Sequence, residues 1–127
     1  MRRLLIIAMA LLAITGCASP LGNAIRASNA AGSVADHAHG VLVTETKRGY
    51  NACIRLDTKG EALACIESNR AAHAPMWAAY RQLRSTWLDL TTLIQAALSG
   101  DGVLPAAAAI IMGKLAQATA DMNGALK

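Results

Sequence analysis

One short cluster in the sequence has the chemistry of a metal site, Asp36-His37-Ala38-His39. On a helix, side chains one or two positions apart point in different directions, so only Asp36 and His39 would share a face. The sequence has no second Cys pair and no His-x3-His to complete a set of four zinc ligands. We therefore interpret the cluster as a solvated helix face and predict neither a metal nor a cofactor.

His73 and Glu45 have the chemistry of a general base and the carboxylate that orients it. The sequence places no nucleophile or oxyanion donor beside them. It also contains no Gly-x-Ser-x-Gly, no His-Glu-x-x-His and no phosphate-binding glycine loop. Gly100-Asp101-Gly102 is a turn that lacks the alternating acidic ligands of a calcium loop. We predict a protein without enzymatic activity.

Aromatic and basic residues offer a binding surface instead. Trp77 lies one residue off the apolar stripe of its predicted helix, and Arg81 and Arg84 follow one turn later. Aromatic and arginine side chains are frequent anchors at interfaces, so these three are the predicted partner-binding residues, for a protein or a glycan. Core packing is the alternative role for Trp77, and anionic lipid head groups are an alternative ligand for the arginines.

The composition predicts the elements that position these residues. Of 127 residues, 54% are hydrophobic and only 3% are aromatic, so the apolar content is mostly aliphatic, which favours helices over sheets. At 13.2 kDa the chain holds one domain at most, which excludes multidomain enzymes. The formal charge is +4, from 12 basic and 8 acidic residues; without Arg2 and Arg3 it becomes 10 against 8. Such a small excess predicts no nucleic-acid partner.

The first residues have the layout of an export signal. Arg2 and Arg3 precede an apolar run from Leu4 to Ile14, and a small-residue segment follows. Eleven apolar residues span about 16 Å as a helix, roughly half of the hydrocarbon thickness of a bilayer, so the run is too short for a stable membrane anchor. Residues 1–16 are therefore the predicted signal peptide.

The run ends in Ile14-Thr15-Gly16-Cys17, which resembles the lipobox of bacterial lipoproteins. The resemblance implies that Cys17 is lipidated, that the chain is cut before it, and that several acyl chains anchor the protein lastingly. Ala18, in place of the Asp linked with inner-membrane retention, implies sorting to the periplasmic face of the outer membrane. Residues 17–23 are then the lipidated N-terminus and linker. The alternative is a secreted protein in which Cys17 is a stray thiol.

Two further cysteines, Cys53 and Cys65, remain in a compartment that is expected to be oxidising. We predict a disulfide between them. Across an antiparallel hairpin this bond would place Glu45 level with His73, with Asn69 one turn away. The three polar residues are expected to form a layer that fixes the pairing of two otherwise apolar stripes.

The second of three predicted helices has the clearest signals. Thr58, followed by Glu61, caps a helix from about Lys59 to near Ser99. Pro75 lies inside it, but the apolar stripe keeps its phase, which predicts one kinked helix; separate helices on either side are the alternative. The stripe comprises Ala62, Ile66, Asn69, His73, Met76, Tyr80, Leu83, Trp87, Leu90, Ile94 and Ala97.

The first and third helices have weaker signals. Asn23 or Ser33 is expected to cap the first, and the third is expected from about Leu104-Pro105 to Leu126. Short connections predict an all-α, antiparallel up-down-up three-helix bundle with coiled-coil-like seams in a periplasmic domain of residues 24–127. The first stripe comprises Ala31, Ala35, Ala38, Leu42, Glu45, Gly49, Ala52 and Leu56, and the third comprises Leu104, Ala108, Ile111, Leu115, Ala118, Met122 and Ala125.

Two functions fit these features. The first is a non-enzymatic outer-membrane lipoprotein, whose helices form a periplasmic scaffold or binding module for an envelope protein. The second is an exclusion or inhibitor lipoprotein from a phage or mobile element, which would occlude a receptor or enzyme of the envelope. Size and anchor suit both functions equally.

Overall fold

The structure is a computed structural model that describes residues 19–127. Three helices, α1 (Pro20–Cys53), α2 (Lys59–Ser99) and α3 (Ala107–Ala125), pack against one another, and this part of the chain contains no strand. The all-helical class is confirmed. The predicted signal peptide and Cys17 lie outside the described residues.

Helix α1 begins earlier than predicted. The Ser19 hydroxyl accepts a hydrogen bond from the backbone N–H of Gly22 at 3.1 Å, and Pro20 takes the first helical position. Proline suits that position because its missing N–H would have no partner there. The predicted caps at Asn23 and Ser33 are wrong, and residues 20–23 are helical rather than part of a linker.

Helix α2 begins and ends where the sequence predicts. Thr58 caps it: its hydroxyl accepts from the backbone N–H of Glu61 at 3.2 Å and donates to the Glu61 carboxylate at 2.7 Å. At the other end, Gly102 has a φ of 77° and donates its N–H to Ala97 at 2.9 Å. A positive φ costs glycine little, so this turn stops the helix.

Pro75 lies inside α2, which continues through it as one helix over 41 residues. The alternative of separate helices on either side of Pro75 is therefore wrong. Pro75 is exposed.

Helix α3 begins later than predicted. Pro105 lies before the helix, where its carbonyl accepts from Ala108 at 2.9 Å, and the carbonyl of Ala106 accepts from Ala109 at 3.2 Å. These bonds span three residues and form a tight turn that leads into the helix. The predicted start at Leu104-Pro105 is therefore wrong by two to three residues.

Burial follows the predicted stripes closely. Every stripe position of the second and third helices is buried or half-buried, as are the first six of the first helix. Ala52 and Leu56 are exposed, contrary to prediction; Leu56 lies beyond the end of α1 at Cys53. The fully buried large side chains are those of Leu42, Leu83, Leu90, Leu115, Met122 and Cys53.

Candidate functional site

The core occupies only part of the two long helices. On α2 the buried residues all lie between Tyr80 and Ala97, and α3, at about 28 Å, is roughly half as long as α1 or α2. Within residues 43–79, Cys53 alone is buried. The α1–α2 hairpin therefore extends beyond the packed core as a pair of helices.

A disulfide closes the end of this hairpin. Cys53, the last residue of α1, is bonded to Cys65 in α2, and their Cα atoms lie 5.4 Å apart. The predicted pairing is confirmed. The bond joins the two helices beside their short connection of residues 54–58.

An aromatic cluster forms where the hairpin leaves the core. His39 of α1 stacks on Tyr80 with ring centroids 5.4 Å apart, and Trp77 packs edge-on against Tyr80 at 5.8 Å and His39 at 6.3 Å. The His39 of the Asp36-His37-Ala38-His39 cluster is thus engaged by rings of the neighbouring helix. Asp36 and His37 are exposed, as the solvated-face interpretation predicts.

Thr46 connects the two helices just beyond this cluster. Its hydroxyl accepts a hydrogen bond from the indole Nε1 of Trp77 at 3.2 Å, and its carbonyl accepts from the Asn69 side-chain amide at 3.3 Å. Gly49 makes this approach possible, because a Cβ there would overlap the Asn69 carboxamide. Glycine lowers the stability of an isolated helix, but the packing of the two helices requires it at this position.

The polar layer therefore has different members from those predicted. Glu45 pairs with Arg48 of its own helix at 3.1 Å, and His73 Nδ1 lies 2.7 Å from the backbone oxygen of Asn69. No hydrogen bond joins Glu45 to His73. The prediction that they pair is wrong, because the side chain that reaches across from α1 is that of Thr46, one residue further on.

A second indole crosses the same interface within the core. Trp87 Nε1 donates to the Ser28 hydroxyl at 3.0 Å, and Ser28 in turn lies 3.2 Å from the Thr91 hydroxyl. Ser28 is buried, so these bonds satisfy a polar group that would otherwise be costly. Gly32 admits the Trp87 ring, whose nearest atoms would lie 3.3 Å from a Cβ there.

The three predicted partner-binding residues differ in exposure. Arg81 and Arg84 are exposed, whereas Trp77 is half-buried and its indole N–H is already bonded to Thr46. Trp77 thus joins the helices and contributes at most part of its ring to a surface. Partner binding by the three residues stays a prediction.

The interface roles of three residues were not predicted from the sequence, namely those of Ser28, Thr46 and His39. Ser28 carried a usable signal, because Ala24 and Ser28 continue the spacing of the first stripe towards the N-terminus. Thr46 and His39 carried none, since each lies beside a stripe position rather than on it. Their roles depend on which side chains the partner helix places opposite.

The described residues contain neither a metal-binding cluster nor a helix suited to span a membrane. Within residues 19–127, no three His, Cys, Asp or Glu side chains gather as a metal site would require. No helix in the same span is both long and apolar enough to cross a bilayer. Comparison with known proteins finds no matching family, curated protein or solved structure. The candidate site consequently rests on the contacts of this chain alone.

Proposed function

We propose that the mature protein is a lipoprotein of the cell envelope, a non-enzymatic helical scaffold or binding module anchored through Cys17. The observation that carries the proposal is a helical hairpin closed by a disulfide in a chain whose residues 14–17 resemble a lipobox. Disulfides persist in oxidising compartments such as the periplasm, which agrees with export. The anchor would hold the protein at the periplasmic face of an outer membrane.

We further infer an up-down-up bundle in which α2 is kinked at Pro75. Three pairs support it: Ser28 with Trp87, His39 with Tyr80, and Thr46 with Trp77. The residue number on α2 falls at each step as the residue number on α1 rises. Such an order is typical of antiparallel neighbours, and the short connection of residues 100–106 favours an antiparallel third helix. A proline inside a helix removes one backbone bond and bends the axis.

The partner is proposed to be another envelope protein, and Arg81 and Arg84 are proposed to contact it. Their guanidinium groups are exposed and bonded to no described carboxylate, so they remain available for hydrogen bonds to a partner. Trp77, one turn earlier, would fix the helix pair from which they project. An arginine pair suits an acidic or carbonyl-rich surface.

Metabolic labelling with a fatty-acid analogue tests the anchor. The wild-type chain is expected to take up label and to fractionate with membranes. A Cys17→Ala variant is expected to stay unlabelled and to accumulate uncleaved or soluble. The matched control, Cys53→Ala with Cys65→Ala, also loses cysteines but should label normally. Equal labelling of the Cys17→Ala variant would refute the proposal.

Site-specific photo-crosslinking in intact cells tests the partner surface. A crosslinker placed at Arg81 or Arg84 is expected to yield one adduct of the same size from both positions. The control position, Lys114 on α3, is equally exposed and should not yield that adduct. If all three positions gave the same adducts, the arginine surface would have no special role.

A further inference from the structure

The beginning of α1 and the α2–α3 connection meet at one end of the bundle, which we call the base. Together they line an open cleft of about 280 Å³. The cleft is lined by Ser19, Pro20, Leu21, Gly102, Val103 and Leu104. The base is therefore the end of the molecule that carries the first described residue, Ser19.

The base region has the most exposed large apolar side chains. Leu98 is 61% exposed, and Val103 and Ile110 are each 65% exposed, at the end of α2, in the connection and at the start of α3. Four large apolar side chains near the disulfide, between Tyr50 and Leu63, are also exposed, but less so, at 45% to 53%. A surface of this kind is suited to apolar contact.

The two ends of the molecule differ in the number of charged side chains. Residues 19–25 contain no charged side chain, and residues 98–113 contain one, Asp101. Around the disulfide at the opposite end, residues 47–61 carry six, namely Lys47, Arg48, Arg55, Asp57, Lys59 and Glu61. A charged group loses hydration when it enters the apolar part of a bilayer, so the base would enter it at lower cost than the disulfide end.

The chain length between the anchor and the base limits where the base can lie. Ser19 is the second residue after Cys17, and a fully extended chain spans at most about 3.6 Å per residue. Ser19 therefore lies within about 7 Å of an acylated Cys17. We propose that the base rests in the lipid interface, with Leu98, Val103 and Ile110 against the bilayer, while the disulfide end points away. This proposal rests on the lipid anchor proposed above.

Fluorescence quenching from the bilayer tests this orientation. The acylated protein would carry a thiol-reactive fluorophore at Val103→Cys or, as matched control, at Val43→Cys, and be reconstituted in phosphatidylethanolamine and phosphatidylglycerol vesicles containing quencher lipids. Val43 is also exposed, and it lies on α1 about 35 Å from Pro20 at the rise of a helix. Emission from position 103 is expected to fall severalfold, and emission from position 43 is expected to be unchanged. Leu98→Cys gives a second base position if the first label disturbs the fold.

Each outcome has a distinct meaning, because the intact mass of the same sample reports acylation. If both positions are quenched, the bundle lies flat on the membrane and the proposed orientation is wrong. If neither is quenched although the chain is acylated, the base does not contact the bilayer and only the anchor stands. If the mass shows no acyl chains, the anchor fails and the base proposal fails with it.

Discussion

At the scale of single residues, Gly49 shows how a helix can require a residue that disfavours helices. We predict that Gly49→Ala lowers the free energy of unfolding by about 1 kcal/mol or more, because the added methyl overlaps Asn69 and overpacking outweighs the gain in helix propensity. Gly40→Ala in the same helix meets nothing within 4 Å and should raise stability by roughly 0.5 to 1 kcal/mol. Denaturant unfolding of both variants measures these changes. Stabilisation by both would contradict the close approach.

The hydrogen bond between Trp77 and Thr46 predicts a coupling that a double-mutant cycle can measure. Trp77→Phe and Thr46→Val should show an interaction free energy of at least about 0.5 kcal/mol, because either change removes the same bond. Glu45→Leu and His73→Leu serve as the control pair, and they should add to within about 0.5 kcal/mol, since each is bonded within its own helix. A larger coupling for the control pair than for Trp77 and Thr46 would contradict this bond and support the predicted pairing of Glu45 with His73.

Which residues cross between the helices was the least predictable feature at this scale. The register from Cys53 and Cys65 placed the right turns opposite each other, and Asn69 does take part in the layer. It did not distinguish Glu45 from its neighbour Thr46, because one helical step turns a side chain by about 100° at almost the same height. Only the packed structure decides which of the two points across.

At the scale of elements, the disulfide is expected to stabilise the hairpin. A loop of this length predicts a loss of about 2 to 3 kcal/mol in the free energy of unfolding when the bond is removed. Thermal unfolding with and without reductant measures the loss in the wild type. The double variant with Ala at both cysteines should unfold like the reduced protein and be insensitive to reductant. An unchanged melting temperature after full reduction would contradict the stabilising role.

The uneven core predicts uneven stability along α2. Amides of residues 62–76 are expected to exchange with solvent faster than those of residues 83–97, because the first stretch contains no buried side chain. Native-state hydrogen exchange measures the difference, and reduction of the disulfide should widen it. Uniform protection along the helix would show that the hairpin and the core open as one unit.

Element boundaries were predictable where the signal is local. Thr58 with Glu61 and the glycines after Ser99 fixed both ends of α2, because caps and breakers act within one turn. The start of α1 was missed because Ser19-Pro20 was assigned to the linker beside the anchor, although the pair is itself a strong start signal. The start of α3 was missed because proline suits a tight turn as well as a first helical turn.

At the scale of the whole molecule, the all-helical class followed from composition and from the spacing of apolar residues. The predicted bounds already gave helices of unequal length. They therefore also implied a hairpin of two longer helices that extends beyond the core. The contrast between a base with one charged side chain, Asp101, and a charged disulfide end became visible only when the ends of three helices were brought together. The base is also the end of the described residues nearest to the proposed anchor, two residues before Ser19.

The central claim is that this bundle is held to a membrane through an acylated Cys17. The intact mass of the protein extracted from the cell envelope without reductant tests it most directly. We expect a chain that begins at Cys17, carries the added mass of acyl chains, and offers no free thiol to an alkylating reagent. A mass that corresponds to a chain beginning elsewhere, without acyl groups, would contradict it.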